Sequence, residues 1–78
     1  MRAKENRCVI TFPTTTAAMD MESFCKAQGL PGRLIPVPRS VTAGCGVCWA
    51  APMAAREALE EAVMTHHIII SGIYTVLI

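Results

Sequence analysis

Two closely spaced cysteines mark the stretch of this chain whose residue types could do chemistry. Cys45 and Cys48 lie in "VTAGCGVCWA", residues 41–50, and Gly44 and Gly46 flank the first of them. The thiolate is the form of cysteine that attacks electrophiles and binds metals. The segment is therefore a candidate for a working thiol, a dithiol redox pair or half of a metal site, with two small packed residues as the alternative.

Cys45 has the surroundings that a reactive thiol needs. Glycines on both sides predict an accessible loop, and glycine backbones can turn their N–H groups toward a bound anion. Positive charge lowers the pKa of a thiol, and Arg39, with Arg33 as a second candidate, could supply it. We predict a carrier thiol at Cys45, with Gly44, Gly46 and Arg39 as binding residues.

Cys48 has two interpretations, which the residues leave open. Its spacing from Cys45 is that of Cys-x-x-Cys dithiol proteins, where it would be the resolving thiol. In those proteins the first cysteine begins a helix that follows a strand, whereas residues 47–51 resemble a strand that follows the pair. In such a strand Cys48 shares one face with Ala50, and Trp49 lies on the other, so Cys48 is equally well explained as a packed residue.

A metal site would need about four ligands, and the chain offers Cys45, Cys48, His66 and His67. Adjacent histidines rarely bind one ion together, and imidazoles at the end of a helix complement its dipole. We therefore predict no metal and no other cofactor. The other two cysteines and most methionines are predicted to pack in the core, since free cysteine behaves as a small hydrophobe: Cys8, Cys25, Met19, Met21, Met53 and Met64.

Composition excludes several classes of function. The formal net charge is +1 and aromatic residues make up 5% of the 78 residues, so the clustered basic and stacking residues of a nucleic-acid interface are missing. No Ser/His/Asp order, paired carboxylates or phosphate loop is recognised, and an enzyme with its own turnover is not predicted. Hydrophobic residues make up 53%, which makes self-association a candidate property.

The elements that must position the loop alternate between strands and helices. Residues 8–12 predict a strand. A helix follows with Ala17, Met21, Phe24 and Cys25 on one face, and Gly29 ends it. Its first turn is capped by one of three threonines, and these N–H groups are further candidates for anion binding: Thr14, Thr15 and Thr16.

The second half of the chain repeats this alternation. Residues 33–38 predict an edge strand because two prolines remove ladder donors, and residues 47–51 predict the next strand. A second helix is predicted from Pro52, and "HHIIISGIYTVLI" closes the chain as a last strand, with Ser71-Gly72 as a candidate break. The buried stripe of the second helix is expected to comprise Ala55, Ala58, Leu59, Ala62 and Val63.

This order predicts an α+β fold of the ferredoxin-like split βαββαβ type, one sheet with two helices on one face. The first two strands then run in the same direction. The Cys45 loop therefore falls at the end of the sheet where the first helix begins, and the second helix ends there with His66 and His67. One domain is expected over residues 1–78.

Three segments resemble the selenium/sulfur carrier protein-like family: "FPTTTAAM", "GLPGRLIPVPRSVTAGCG" and the closing "GIY". The resemblance runs from about Arg7 to Tyr74, and the family is also found joined to a sulfur-carrier (SirA-like) domain. It implies that Cys45 holds sulfur or selenium as a persulfide or perselenide, with donor and acceptor proteins as partners. Cys48 departs from the family pattern, where a small apolar residue is usual.

Two further expectations concern location and an alternative function. The apolar runs near the two ends are too short for a signal peptide or a membrane span, so we expect the cytoplasm, where thiols stay reduced. The alternative to a thiol carrier is an interaction or oligomerisation module that docks a partner, or a second copy, without thiol chemistry.

Overall fold

A four-stranded antiparallel sheet and two helices make up the computed structural model, which describes residues 4–39, 41 and 45–78. The strands lie in the order β2-β3-β1-β4, and the predicted ferredoxin-like arrangement is confirmed. The elements in chain order are β1 (Asn6–Thr11), α1 (Thr15–Gln28), β2 (Arg33–Pro36), β3 (Val47–Pro52), a 3-10 turn (Met53–Ala55), α2 (Arg56–Thr65) and β4 (Gly72–Leu77).

Helix α1 begins and ends at residues that the sequence predicts. Thr14 has an extended backbone, and its Oγ1 accepts a hydrogen bond from the Ala17 N–H at 3.1 Å, which satisfies a donor of the first turn. Gly29 takes the left-handed conformation at φ 70°, and its N–H bonds to the Cys25 carbonyl. Both the N-terminal cap and the glycine stop are therefore confirmed.

The predicted start of the second helix is wrong. Pro52 is the last residue of β3, where it lies opposite Arg7, and α2 begins only at Arg56 after the 3-10 turn. A proline ring fixes φ near −65°, which suits a strand end as well as the first turn of a helix. Ala58 is exposed and not part of the buried stripe, because it lines an open groove between α1 and α2.

A residue in the left-handed conformation follows helix α2, and the next strand does not begin at once. The N–H of Ile68 reaches the carbonyl of Val63 at 3.1 Å, and His67 between them has φ 54°, which is the geometry of a Schellman stop. Strand β4 begins only at Gly72. The expected last strand is therefore shorter than its apolar sequence suggests.

Alternation along the strands divides the core into two clusters, one on each face of the sheet. The helix-side cluster contains Cys8, Ile10, Phe12, Ala17, Ala18, Met21, Cys25, Trp49, Ala51, Ala55, Leu59 and Val63. The open-face cluster contains Val9, Val41, Cys48, Ala50 and Val76. The predicted core positions of Cys8 and Cys25 are confirmed, but Met19 and Met64 are 60% and 77% exposed and do not pack as predicted.

The backbone of Gly32 lies directly against the indole of Trp49. A Cβ at Gly32 would overlap the Nε1 atom of Trp49 and come within 2.8 Å of the Ala50 carbonyl oxygen. Gly32 also has φ 128°, a conformation that side chains other than hydrogen disfavour. The glycine is therefore required both by its backbone angle and by the indole beside it.

Candidate functional site

The loop that carries the cysteines joins β2 to β3 and is closed at its base by backbone bonds. Pro36 lies opposite Val47 in the sheet, and the Val37 N–H donates to the Gly46 carbonyl at 3.1 Å. Gly46 is exposed, has φ 83° and has open space beside it. Gly44, predicted as its partner in shaping the loop, lies outside the described residues.

Cys45 lies next to this closing bond, with its side chain half-buried. It packs against the helix-side cluster, and its Sγ donates a hydrogen bond to the Val47 carbonyl at 3.2 Å. A thiol is a weak donor and a thiolate cannot donate. The attacking form must therefore give up this one contact, which is a small loss, while the sulfur stays partly open to solvent.

Cys48 is fully buried on the opposite side of the sheet. Burial, with a smaller contribution from the negative charge of a Cys45 thiolate, raises the pKa of Cys48 from 9.0 to about 11. Val41 follows a turn in which its N–H bonds to the Pro38 carbonyl at 3.0 Å, and it packs in the same cluster as Cys48. The loop itself thus contributes to covering Cys48.

The two cysteines therefore differ in their access to solvent. All four cysteines of the chain are free thiols, and Cys45 is the one with exposed surface. Burial raises the pKa of Cys8, against a smaller opposing effect of Arg56, and raises the pKa of Cys25 to about 11. Of the four cysteines, Cys45 is therefore the one that a reagent in solution can reach in the folded chain.

The two candidate cations, Arg39 and Arg33, lie at different distances from the loop that carries Cys45. Arg39 is exposed and lies between Pro38 and Val41, whose backbone groups hydrogen-bond to each other. Arg33 is the first residue of β2 and lies opposite Ala50, at the end of the strand away from the loop. Arg39 is therefore the better placed of the two to meet an anion approaching the loop.

The start of α1 lies at the loop end of the sheet, as the topology predicts. Thr11 pairs with Cys48, so the residues just before Cys48 extend past the end of β1 toward the first turn of α1. Thr14 already uses its Oγ1 as the helix cap, while the side chains of Thr15 and Thr16 are exposed. Of the three threonines, these two keep hydroxyl groups available to a ligand.

The histidines belong to the helix layer. The ring of His66 lies 4.0 Å from that of Phe24, centroid to centroid, and His67 lines a shallow groove with Asp20 and Ile68. Among the residues that the structure describes, no group of three or more His, Cys, Asp or Glu side chains could hold a metal ion.

Sequence reasoning missed the part that Val41 plays at this site. A single valine in a polar and glycine-rich loop carries no periodic signal. Proline is favoured at the second position of a turn, whereas the bond from the Val41 N–H to the Pro38 carbonyl puts Pro38 at the first, so Pro38 does not signal this turn either.

Comparison with known proteins adds a family to this geometry. The family model described as "Putative Se/S carrier protein-like" matches residues 7–75, which includes the β2–β3 loop and every helix and nearly every strand residue. No curated protein and no solved structure matches the chain. Within the described residues, none of the helices has both the length and the apolar character that crossing a membrane requires.

Proposed function

We propose, from the premise that the chain belongs to the Se/S carrier protein-like family, that it carries sulfur or selenium on the thiol of Cys45. The observation that carries the proposal is the contrast in access among the four cysteines: three are buried and Cys45 is partly exposed. A group that is loaded by one protein and unloaded by another must be reached from outside, and Cys45 meets that condition.

Loading is a thiol exchange reaction that needs no oxidant. The Cys45 thiolate attacks the outer sulfur of a donor persulfide R–S–SH, a new S–S bond forms at Cys45, and the donor leaves as R–S⁻. The same step with R–S–SeH forms an S–Se bond and leaves a perselenide on Cys45. Unloading reverses the exchange, when an acceptor thiolate takes the outer atom and Cys45 departs as thiolate.

Three features at this end of the sheet support this chemistry. Gly46 has open space where a side chain would stand, so no side chain at that position obstructs a donor persulfide that approaches Cys45. Arg39 is an exposed cation in the same loop, and a persulfide that ionises would be stabilised by it. Thr15 and Thr16 supply exposed hydroxyl groups at the same end of the sheet.

A dithiol mechanism receives less support from these contacts. Cys48 would have to leave the open-face cluster, and its pKa of about 11 keeps it protonated at neutral pH. A resolving thiol attacks as a thiolate, so resolution by Cys48 requires the loop around Val41 to open first. Oxidation followed by counting of free thiols decides between the two mechanisms: a Cys45–Cys48 disulfide would favour the dithiol protein.

The experiment for the carrier is intact-mass measurement after treatment with cysteine persulfide. The wild type and a Cys48→Ala variant should each gain the mass of one sulfur atom, which a reducing thiol then removes. Cys45→Ser should gain none. A gain that survives Cys45→Ser would refute the assignment of the carrier thiol.

Partners and location follow from this chemistry. Donor and acceptor proteins with exposed thiols are the partners that exchange requires. A compartment that keeps thiols reduced, such as the cytoplasm, preserves Cys45 between loading events.

A further inference from the structure

The two edges of the sheet differ in how well they resist pairing with another strand. The edge strand β2 has four residues, ends at Pro36 and is followed by Pro38. The opposite edge strand, β4, has six residues, "GIYTVL", with no proline and no charge. Proteins usually protect exposed edges with prolines, charges or short strands, and β4 has none of these within its own sequence.

The hydrogen-bond phase of β4 identifies which of its groups face outward. Glu5 and Ile78 exchange both backbone bonds, at 3.1 and 3.0 Å. In an antiparallel pair such bonded positions alternate, so Val76, Tyr74 and Gly72 direct their N–H and C=O groups toward β1. The groups of the other three residues therefore point away from the sheet: Ile73, Thr75 and Leu77.

The side chains of β4 are also incompletely covered. Tyr74 is 40% exposed and Leu77 is 58% exposed. Leu77 lies opposite Asn6, on the same face as the helices, while Tyr74 lies opposite Val9, on the open face. Apolar surface is thus exposed on both faces of the sheet along a single edge.

We propose that this edge binds a second copy of the chain, with the two β4 strands pairing antiparallel about a twofold axis at Thr75. Such an axis must stand perpendicular to the sheet, because only then do the strands run antiparallel. Directly opposite residues then share a face of the sheet. The axis therefore lies between two copies of the same residue, and not level with the peptide bond between two consecutive residues.

With the axis at Thr75, every outward backbone N–H and C=O group of β4 forms a hydrogen bond with the partner's β4. Thr75 exchanges both bonds with the partner's Thr75, and Ile73 exchanges both with the partner's Leu77. Centring it on Tyr74 would pair Ile73 with the partner's Thr75 and leave the outward groups of Leu77 beyond the partner's β4. The hydrogen-bond phase therefore selects the register centred on Thr75.

The same register places apolar side chains opposite each other, and each pair includes one of the two exposed residues Tyr74 and Leu77. Tyr74 lies across from the partner's Val76 on the open face, and Ile73 lies across from the partner's Leu77 on the helix face. Such aromatic and β-branched cross-strand pairs stabilise antiparallel sheets. Electrostatics do not oppose the approach, since β4 carries no charge and the nearby Arg56, which donates to Thr75 at 2.9 Å, is paired with Glu60.

The test is the solution mass of the full chain and of two charged variants. Wild type should approach twice the 8.4 kDa of one chain as its concentration rises in analytical ultracentrifugation. Thr75→Lys and Thr75→Glu should each be monomeric, because the register places identical charges directly opposite each other across the axis. An equimolar mixture of the two variants should recover the dimer mass.

Controls separate this register from a loss of folding and from other contacts. Met64→Lys adds a charge at an exposed apolar residue outside β4 and should leave the dimer intact. Circular dichroism and the inaccessibility of the buried thiols should show that the Thr75 variants are folded.

A wild type that stays monomeric at every concentration would overturn the proposal and leave the strand to a different partner. Dimers that form equally well in both Thr75 variants would overturn it also. Loading of Cys45 with sulfur is measured independently of either result.

Discussion

Cys45 and Cys48 pack against opposite faces of one sheet, although only two residues separate them in the chain. Cys45 contacts the helix-side cluster and keeps exposed surface, while Cys48 is fully buried in the open-face cluster. The Cys-x-x-Cys spacing therefore joins two residues with separate surroundings.

Thiol labelling of the folded protein should modify one of the four cysteines rapidly. A small disulfide reagent can reach Cys45, whereas burial protects Cys8, Cys25 and Cys48. Cys45→Ser should abolish the rapid phase, and Cys48→Ala should retain it. The measurement is the release of the coloured leaving group with time, followed by a complete count in denaturant. Rapid labelling of a second thiol in the wild type would contradict the burial of Cys48.

Two glycine substitutions should differ strongly in their effect on stability. Gly29→Ala places a methyl group at φ 70° in open space and should cost about 1 kcal/mol for the backbone conformation alone. Gly32→Ala adds overlap with Trp49 to a φ of 128°, and should cost about 3 kcal/mol. Urea denaturation of the two variants measures the difference. Equal losses would show that the indole does not lie against Gly32.

The stability of the fold should fall as pH rises from 9 toward 11. Burial raises the pKa of Cys25 and Cys48 from 9.0 to about 11, so the unfolded chain loses these protons before the folded one does. Below pH 9 both states are protonated and the contribution is fully present. Above pH 9, each unit by which the folded-state pKa exceeds the unfolded-state pKa lowers the free energy of unfolding by about 1.4 kcal/mol per thiol.

Alanine variants provide the control for this pH dependence. Cys25→Ala leaves a small cavity and lowers the free energy of unfolding at every pH, but it should flatten the decline between pH 9 and 11. Denaturant titrations of wild type and variant across that range give the two slopes. Identical slopes would mean that the buried thiol does not contribute to the alkaline loss.

His67→Gly should stabilise the protein by about 1 kcal/mol. His67 holds φ 54° at the end of α2, a conformation that glycine adopts without the steric penalty of a Cβ. The neighbouring His66 has φ −101°, and its ring packs against Phe24 at a tilt of 44°, so His66→Gly should destabilise the protein. Thermal unfolding of the pair measures both effects, and stabilisation by both substitutions would contradict the assigned helix end.

Local rules predict much of this fold. The threonine before α1, the glycine after it and the alternation of Cys48 with Trp49 each follow from the neighbouring residues. The order of elements then restricts the sheet to the observed topology. The end of the sheet at which the Cys45 loop lies could be predicted for the same reason.

Features that depend on tertiary packing were beyond prediction from the sequence. The packed position of Cys48 was one of the two predicted interpretations and is confirmed, but the contribution of Val41 to its cluster comes from a loop without periodicity. The exposure of Ala58 depends on the width of the groove between the helices, which a helical repeat does not encode. Pro52 fits a strand end and a helix start equally well, so only its pairing with Arg7 distinguishes them.

A round-trip transfer of labelled sulfur tests the central claim most directly. The protein is loaded from a persulfide donor with isotopically labelled sulfur, freed of donor, and then given an acceptor thiol while intact and peptide masses are followed. We expect the label to appear on the peptide that contains Cys45 and to pass to the acceptor, which leaves the unmodified protein. Label that never reaches Cys45, or that remains there in the presence of the acceptor, would contradict a carrier.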